Sequence, residues 1–367
     1  MAVGGAAYEV SVPFRAGTEG YASFRIPAVV RAADGALLAF AEGRIDSRDD
    51  VGDIDVVLRR STDGGRGWGP LRVVAENGDG TAGNPAPVVL DDGRVLLVHV
   101  RNAADATEQR IRRGEVPAAE GRRVWVQHSD DHGETWSTAR EITKSVKKAG
   151  WRWYATAPGH AVRLHRGAHA GRVVVPANHS AAPTGSDTGA EGRYDGSHGL
   201  LSDDGGESWR IGWTDSNPNG CINANETTAA ELPDGRLYIN SRNDSPAPGT
   251  RADGYSRDGG ASLEKPLRPQ AGLTGPVVQG SVLHLGEPDV LLYSGPADPG
   301  FRALMTLRAS RDRGLTWRPV HTVDGLPAAY SDLVRCDDGC VGLLYETGDF
   351  SAYTTITFRR IPVEELS

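Results

Sequence analysis

A short phrase recurs along this chain and constrains its fold more than any other feature: Ser, any residue, Asp, any residue, Gly, then usually Thr and Trp. It occupies residues 61–68, 129–136, 202–209 and 310–317, and a degenerate copy at 256–263 has lost its Trp. The serines that open these boxes lie 68, 73, 54 and 54 residues apart. Supersecondary units repeating at such a period assemble into a propeller. Ser and Asp side chains bond nearby backbone amides and hold a tight turn, while Gly supplies a positive φ. The Trp is expected to fold back and wedge between the strands that the turn joins. Such a turn is a structural device, so the boxes specify architecture and leave the chemistry open.

At a mean spacing of about 62 residues, a chain of 367 residues holds about six units. The expected fold is therefore an all-β, six-bladed propeller that uses residues 1–367 as one domain. Strand-like sequence at both ends, 8–14 and 353–361, is expected to close the ring. The content of 47 Gly and 22 Pro suits a fold made of many turns. A net charge of −8 argues against nucleic-acid binding and gives no long-range steering toward anions, so any anionic ligand must be captured by local arginines. No apolar run approaches the length of a membrane span. The first eight residues lack the basic and apolar segments of a signal peptide. The expectation is a soluble, monomeric chain whose compartment, cytoplasmic or secreted, is left open. Three cysteines do not make a disulfide scaffold. Cys336 and Cys340 flank a hairpin-like turn at 337–339, as a disulfide or, the commoner case, as two thiols.

Alternating or apolar runs predict strands at 36–41, 55–60, 94–100, 123–129, 172–176, 236–241, 277–285, 290–294, 303–310 and 341–346, punctuated by Asp-Gly turns. A helical turn or two is expected within 104–113. The polar stretches 103–121 and 181–196 read as long loops on one rim, where function concentrates.

Several polar residues sit where packing does not explain them. Arg25 interrupts the apolar Phe24-Arg-Ile-Pro27. Glu42-Gly-Arg44 leads into an acid-rich loop holding Asp46, Asp49, Asp50 and Asp53. Asn225-Glu226 precedes a strand that ends at Asn240-Ser-Arg242, and Arg302, Tyr330 and Glu346 follow. Spacing favours Asp50 without excluding Asp49. His160, His179 and His198 are too scattered for a metal site and read as rim or packing residues.

Together with Gly83-Asn-Pro-Ala-Pro87, Ala157-Pro-Gly-His160 and Gly275-Pro-Val-Val-Gln-Gly280, these residues resemble the sialidases of bacterial and animal type over nearly the whole chain. The resemblance implies a six-bladed propeller and an exo-α-sialidase that needs no cofactor or metal and acts on sialylated glycans. It implies that Arg25, Arg242 and Arg302 clamp the substrate carboxylate, with Arg44 near the ring. Asp50 would be the acid/base, Tyr330 the nucleophile with Glu226 as its partner, and Glu346 the support of Arg25. Asn84 would face the N-acetyl side of the sugar. The logic is physical. A substrate that carries a carboxylate on its reacting carbon would repel a carboxylate nucleophile, and a phenol activated by a Glu avoids that. Alternatives are the same chemistry on the deaminated sugar Kdn or another nonulosonic acid, a transferase with an acceptor platform at Trp151 and Trp153, and a non-catalytic glycan-binding propeller.

Overall fold

A computed structural model describes residues 9–215, 221–245, 249–336 and 339–366. Tyr8, the expected start of the first strand, and Asp337 and Asp338 of the expected 337–339 turn lie outside these. The described chain is almost entirely antiparallel β-structure, with sheets arranged so that their first strands line a central axis. The ring is tied across that axis by Asp332, which is fully buried. One carboxylate oxygen accepts from the Val29 and His160 amides, at 2.9 Å each. The other accepts from Ser281 Oγ at 2.7 Å and pairs with His160 Nδ1 at 2.8 Å.

The expectation of six blades is overturned by the sheets themselves. Four sheets stand alone as blades, and the strands from Ser23–Arg31 to Arg140–Glu141 form one continuous eight-stranded sheet. The cause is local. Ile54 pairs in parallel with Thr81, and the Ile54 amide donates to the Gly80 carbonyl at 3.3 Å, which joins the two halves of that sheet edge to edge. Box spacing counts turns and is blind to such a pairing. The sheet that contains Ala328–Arg335, Cys340–Thr347 and Thr355–Pro362 takes its outer strand, Val10–Arg15, from the other end of the chain.

Each box follows the third strand of its unit and docks on the preceding one. In the first, Ser61 Oγ accepts from the Gly65 amide at 2.8 Å and bonds Asp63, whose carboxylate accepts from the Arg66 and Gly67 amides. Gly65 has φ +90°, and a Cβ there would lie 2.2 Å from the Phe358 ring. Gly133 meets Leu38, Gly206 meets Leu96 and Gly314 meets Tyr238 in the same way. Two of the tryptophans differ from expectation. Trp68 stacks edge-on to Phe358 and Trp136 to Phe40, so they staple neighbouring units instead of wedging between their own strands. The apolar core accordingly lies between sheets, as where Leu292 and Leu307 meet Leu333 and Leu343. Burying each such side chain contributes about 1.5–3 kcal/mol.

A short helix, Glu108–Arg113, interrupts the first long loop. Thr107 Oγ1 accepts from the Arg110 amide, and Gly114 ends the helix with φ +76°. Cys336 and Cys340 are joined by a backbone hydrogen bond of 2.9 Å, and no disulfide forms among the described residues. No helix among those residues is long and apolar enough to cross a membrane.

Candidate active site

Five of the innermost strands share one irregularity, which Ser281–His284 lacks. Their register shifts between Arg25 and Ala28, Gly83 and Ala86, Trp151 and Tyr154, Ala224 and Thr227, and Ala328 and Ser331. A bulge breaks the alternation of side chains and re-aims one of them. Ile26 and Asn84 take φ of 59° and 53° at these points. The bulged segments deliver Arg25, Asn84, Trp153, Glu226 and Tyr330 to a single cavity of about 210 Å³, which Arg44, Asp50, Arg242 and Arg302 also line.

At the floor, the Tyr330 hydroxyl donates a very short hydrogen bond to Glu226. Arg242 Nη1 reaches the other Glu226 oxygen at 3.0 Å and the Tyr330 hydroxyl at 3.4 Å. The Arg25 guanidinium lies 5.2 Å and that of Arg302 5.9 Å from the Tyr330 ring centre. Three cations thus surround one phenol. Burial pushes the Tyr330 pKa well above its ordinary value, and the Glu226 charge adds to this, while Arg242, Arg25 and Arg302 oppose it. Burial also raises Glu226, against the pull of Arg242.

Each arginine is held by its own partners. Glu346, fully buried, accepts from Arg25 Nε at 2.8 Å, from the Ile26 amide at 2.9 Å and from the Tyr330 amide at 3.2 Å. One carboxylate therefore ties an arginine to the strand that carries the phenol. Arg242 Nε donates to Asp244 at 2.7 Å. Arg302 donates to the Tyr353 hydroxyl and the Val277 carbonyl, both at 3.1 Å. Arg44 bridges Glu42, at 2.6 Å, and Asp50, at 2.8 Å.

Asp50 projects from the loop after Leu37–Arg44 with 67% of its side chain exposed, while its neighbour Asp49 does not line the cavity. The desolvation Asp50 does suffer raises its pKa, but Arg44, Arg25 and Arg122 outweigh it and hold the carboxyl below its usual value. On the far wall, Arg122 Nη1 donates to Asn84 Oδ1 at 2.8 Å and its guanidinium lies 4.1 Å from the Trp153 ring centre.

The structure therefore brings Arg25, Arg44, Asp50, Asn84, Glu226, Arg242, Arg302 and Tyr330 to one cavity and sets Glu346 behind it. Glu42, noted beside Arg44 but given no role, also lines this cavity, and Glu108, Arg122, Asp244 and Tyr353, which sequence reading passed over, belong to the same region. Arg122 sits in a Gly-Arg-Arg run that looks like solvated surface, and Tyr353 lies in a polar loop. Trp153 lines the cavity, whereas Trp151 stacks on His179 with ring centres 3.8 Å apart. His179 in turn contacts His198 at 3.1 Å.

Comparison with known proteins decides the family. A family model described as a BNR repeat-like domain matches residues 35–343. An exo-alpha-sialidase of Aspergillus fumigatus is 33% identical over 93% of this chain and 84% of its own length. The chain belongs to the sialidase family. A sialidase of Micromonospora viridifaciens is 34% identical over 90% of this chain, which spans 51% of that longer protein. The solved structure of a Hadza microbial sialidase matches this sialidase-family chain with a TM-score of 0.82 at 25% identity, covering 98% of this chain and 69% of that one. The intramolecular trans-sialidase of Ruminococcus gnavus, with a TM-score of 0.77 at 18% identity and 97% and 98% coverage, shares the fold.

Proposed function

We propose that this chain is an exo-α-sialidase that releases terminal α-linked sialic acid from glycans with retention, through a tyrosine-linked intermediate. The observation that carries the reading is the Tyr330–Glu226 hydrogen bond ringed by Arg25, Arg242 and Arg302. Converging guanidiniums bind a planar carboxylate through charge-assisted hydrogen bonds. They thereby fix the anomeric carbon over the phenol oxygen. Glu226 takes the Tyr330 proton as that oxygen attacks, and Asp50 protonates the departing glycosidic oxygen. In the second half, Asp50 removes a proton from water, the water oxygen attacks the anomeric carbon, and Tyr330 leaves with the proton returned by Glu226. Two inversions give net retention.

We also infer that residues 1–367 act as one catalytic domain and as a monomer. Arg122, Asn84 and Trp153 form a wall that suits either an N-acetyl or a hydroxyl group, which keeps Kdn as the competing substrate. The test is steady-state kinetics on aryl α-ketosides of N-acetylneuraminic acid and of Kdn, for the native chain and Tyr330→Phe. The reading expects the variant to fall below about one thousandth of native kcat on whichever sugar is preferred. Unchanged turnover by Tyr330→Phe would defeat it, and sugar binding with no turnover by the native chain would favour a binding propeller.

A further inference from the structure

Arg302 differs from Arg25 and Arg242 in what holds it. Arg25 pairs with Glu346 at 2.8 Å, and Arg242 pairs with Glu226 at 3.0 Å and Asp244 at 2.7 Å. Arg302 meets no carboxylate among the described residues. Its Nη1 donates to the Tyr353 hydroxyl and its Nη2 to the Val277 carbonyl, each at 3.1 Å. A carboxylate partner orients a guanidinium and cancels its charge, whereas a phenol or carbonyl oxygen orients it and leaves the charge in place. Arg302 is therefore the least neutralised of the three. The same tyrosine reaches a second arginine. The Arg25 guanidinium lies 4.2 Å from the Tyr353 ring centre, closer than the 5.2 Å that separates it from the Tyr330 ring. Arg48 approaches the Tyr353 ring as well, at 5.9 Å.

The chain places Tyr353 firmly. It follows the strand Cys340–Thr347, which carries Glu346, so one stretch of sequence supplies both the carboxylate of Arg25 and the hydroxyl of Arg302. The Tyr353 ring packs against a small apolar cluster that includes Ile26, Val278, Ala329 and Tyr330. The next carbonyl, that of Thr354, accepts from the Ala16 amide at 3.0 Å and pins the loop. Tyr353 does not itself line the cavity, so its route to a substrate runs through the arginines. We propose that Tyr353 is a positioning residue of the carboxylate clamp: its hydroxyl aims Arg302, its ring seats Arg25, and neither contact neutralises the cation it holds. The inference rests on the sialidase reading, in which both guanidiniums bind the substrate carboxylate.

The experiment sets two competitive inhibitors against hydrolysis of an aryl α-ketoside of N-acetylneuraminic acid. They are a 2,3-unsaturated sialic acid and its methyl ester, which lacks the carboxylate charge. The native chain should bind the acid about 100-fold more tightly than the ester. Tyr353→Phe keeps the ring over Arg25 and removes the hydroxyl. It should cut that preference about tenfold, through weaker binding of the acid alone. KM should rise by a similar factor with kcat within about threefold of native, because the carboxylate is held in ground state and transition state alike. Tyr353→Leu removes the ring too and should cut the preference about threefold further. The inhibition constant of the ester should stay at its native value in both variants, which reports an intact pocket. An unchanged acid-to-ester ratio in both variants, or an equal loss for acid and ester, would overturn the proposal and leave Tyr353 a packing residue. Failure of the native chain to hydrolyse the ketoside, or to prefer the acid, would overturn the clamp beneath it instead.

Discussion

Tyr330 and Glu226 are hydrogen-bonded in a buried, cationic pocket, and their relation sets what each can do. The neutral phenol is favoured by burial and by the neighbouring carboxylate, and the three arginines oppose that shift and lower the cost of ionising it. Glu226→Gln keeps the shape and removes the proposed base. It should lower kcat by about 10²–10⁴-fold with a smaller change in KM, as read from initial rates on an aryl ketoside. Asp50 poses the opposite problem, because an acid held below its usual pKa by Arg44, Arg25 and Arg122 is poorly protonated at neutral pH. The substrate carboxylate offsets part of that positive field when it binds, which raises Asp50 in the complex. The alkaline limb of kcat should therefore lie at higher pH than that of kcat/KM, since the first reports the complex and the second the free enzyme. Coincident limbs in the two pH profiles would remove Asp50 from the role of acid. Glu346 tests the scaffold: losing it strands Arg25 in the interior, so Glu346→Ala should lower unfolding free energy by about 3–5 kcal/mol in denaturant titrations.

Among the elements, what could be read from sequence and what could not divide along a physical line. The middle strands, such as Leu37–Arg44, Val95–Asn102 and Leu291–Pro296, announce themselves by apolar runs. The innermost strands Thr81–Val89, Trp151–Thr156, Ala224–Glu231 and Ala328–Arg335 do not. They carry bulges and polar residues of the cavity, and Thr81–Val89 two prolines, so the period-two pattern of a strand is broken there. Arg25, Glu226 and Tyr330 were visible as polar residues out of place, and the resemblance to sialidases gave them order. Arg122 and Tyr353 carried no such signal, because only the folded ring brings them to the cavity. The boxes were legible as turns, yet their second function, docking on the previous unit through Gly and Trp, depends on that neighbour. Gly65→Ala would drive a Cβ into Phe358 at a φ that L-residues avoid. It should cost about 3 kcal/mol, measured as a lower urea midpoint at unchanged slope.

At the scale of the whole molecule, sheets that barely pair with one another are held by contacts such as those of the boxes, and each box aspartate braces its own turn. Burial raises the Asp131 pKa, but bonds from the Thr135 hydroxyl and amide and from Ser129 prevail and bring it to about 2. Asp63, Asp204, Asp258 and Asp312 are lowered too, the first mainly by the Gly67 amide and the others by Ser and Thr bonds that overcome burial. Groups depressed on folding add stability above their unfolded pKa and lose it as pH falls through the folded value. Thermal melts should hold level down to about pH 4 and fall between about pH 4 and 2, and a midpoint insensitive to that range would show the boxes to be passive. The long eight-stranded sheet was invisible to the box count because one parallel pair, Ile54 with Thr81, creates it.

The central claim is that bond cleavage runs through a covalent link to Tyr330, and the first product formed reports on it directly. Proton NMR of the native chain acting on an aryl α-ketoside of N-acetylneuraminic acid distinguishes the anomers before they interconvert in solution. Double displacement predicts that the α-anomer appears first and the β-anomer only later, by mutarotation. Initial release of the β-anomer would mean that water attacks directly, and would contradict the role given to Tyr330.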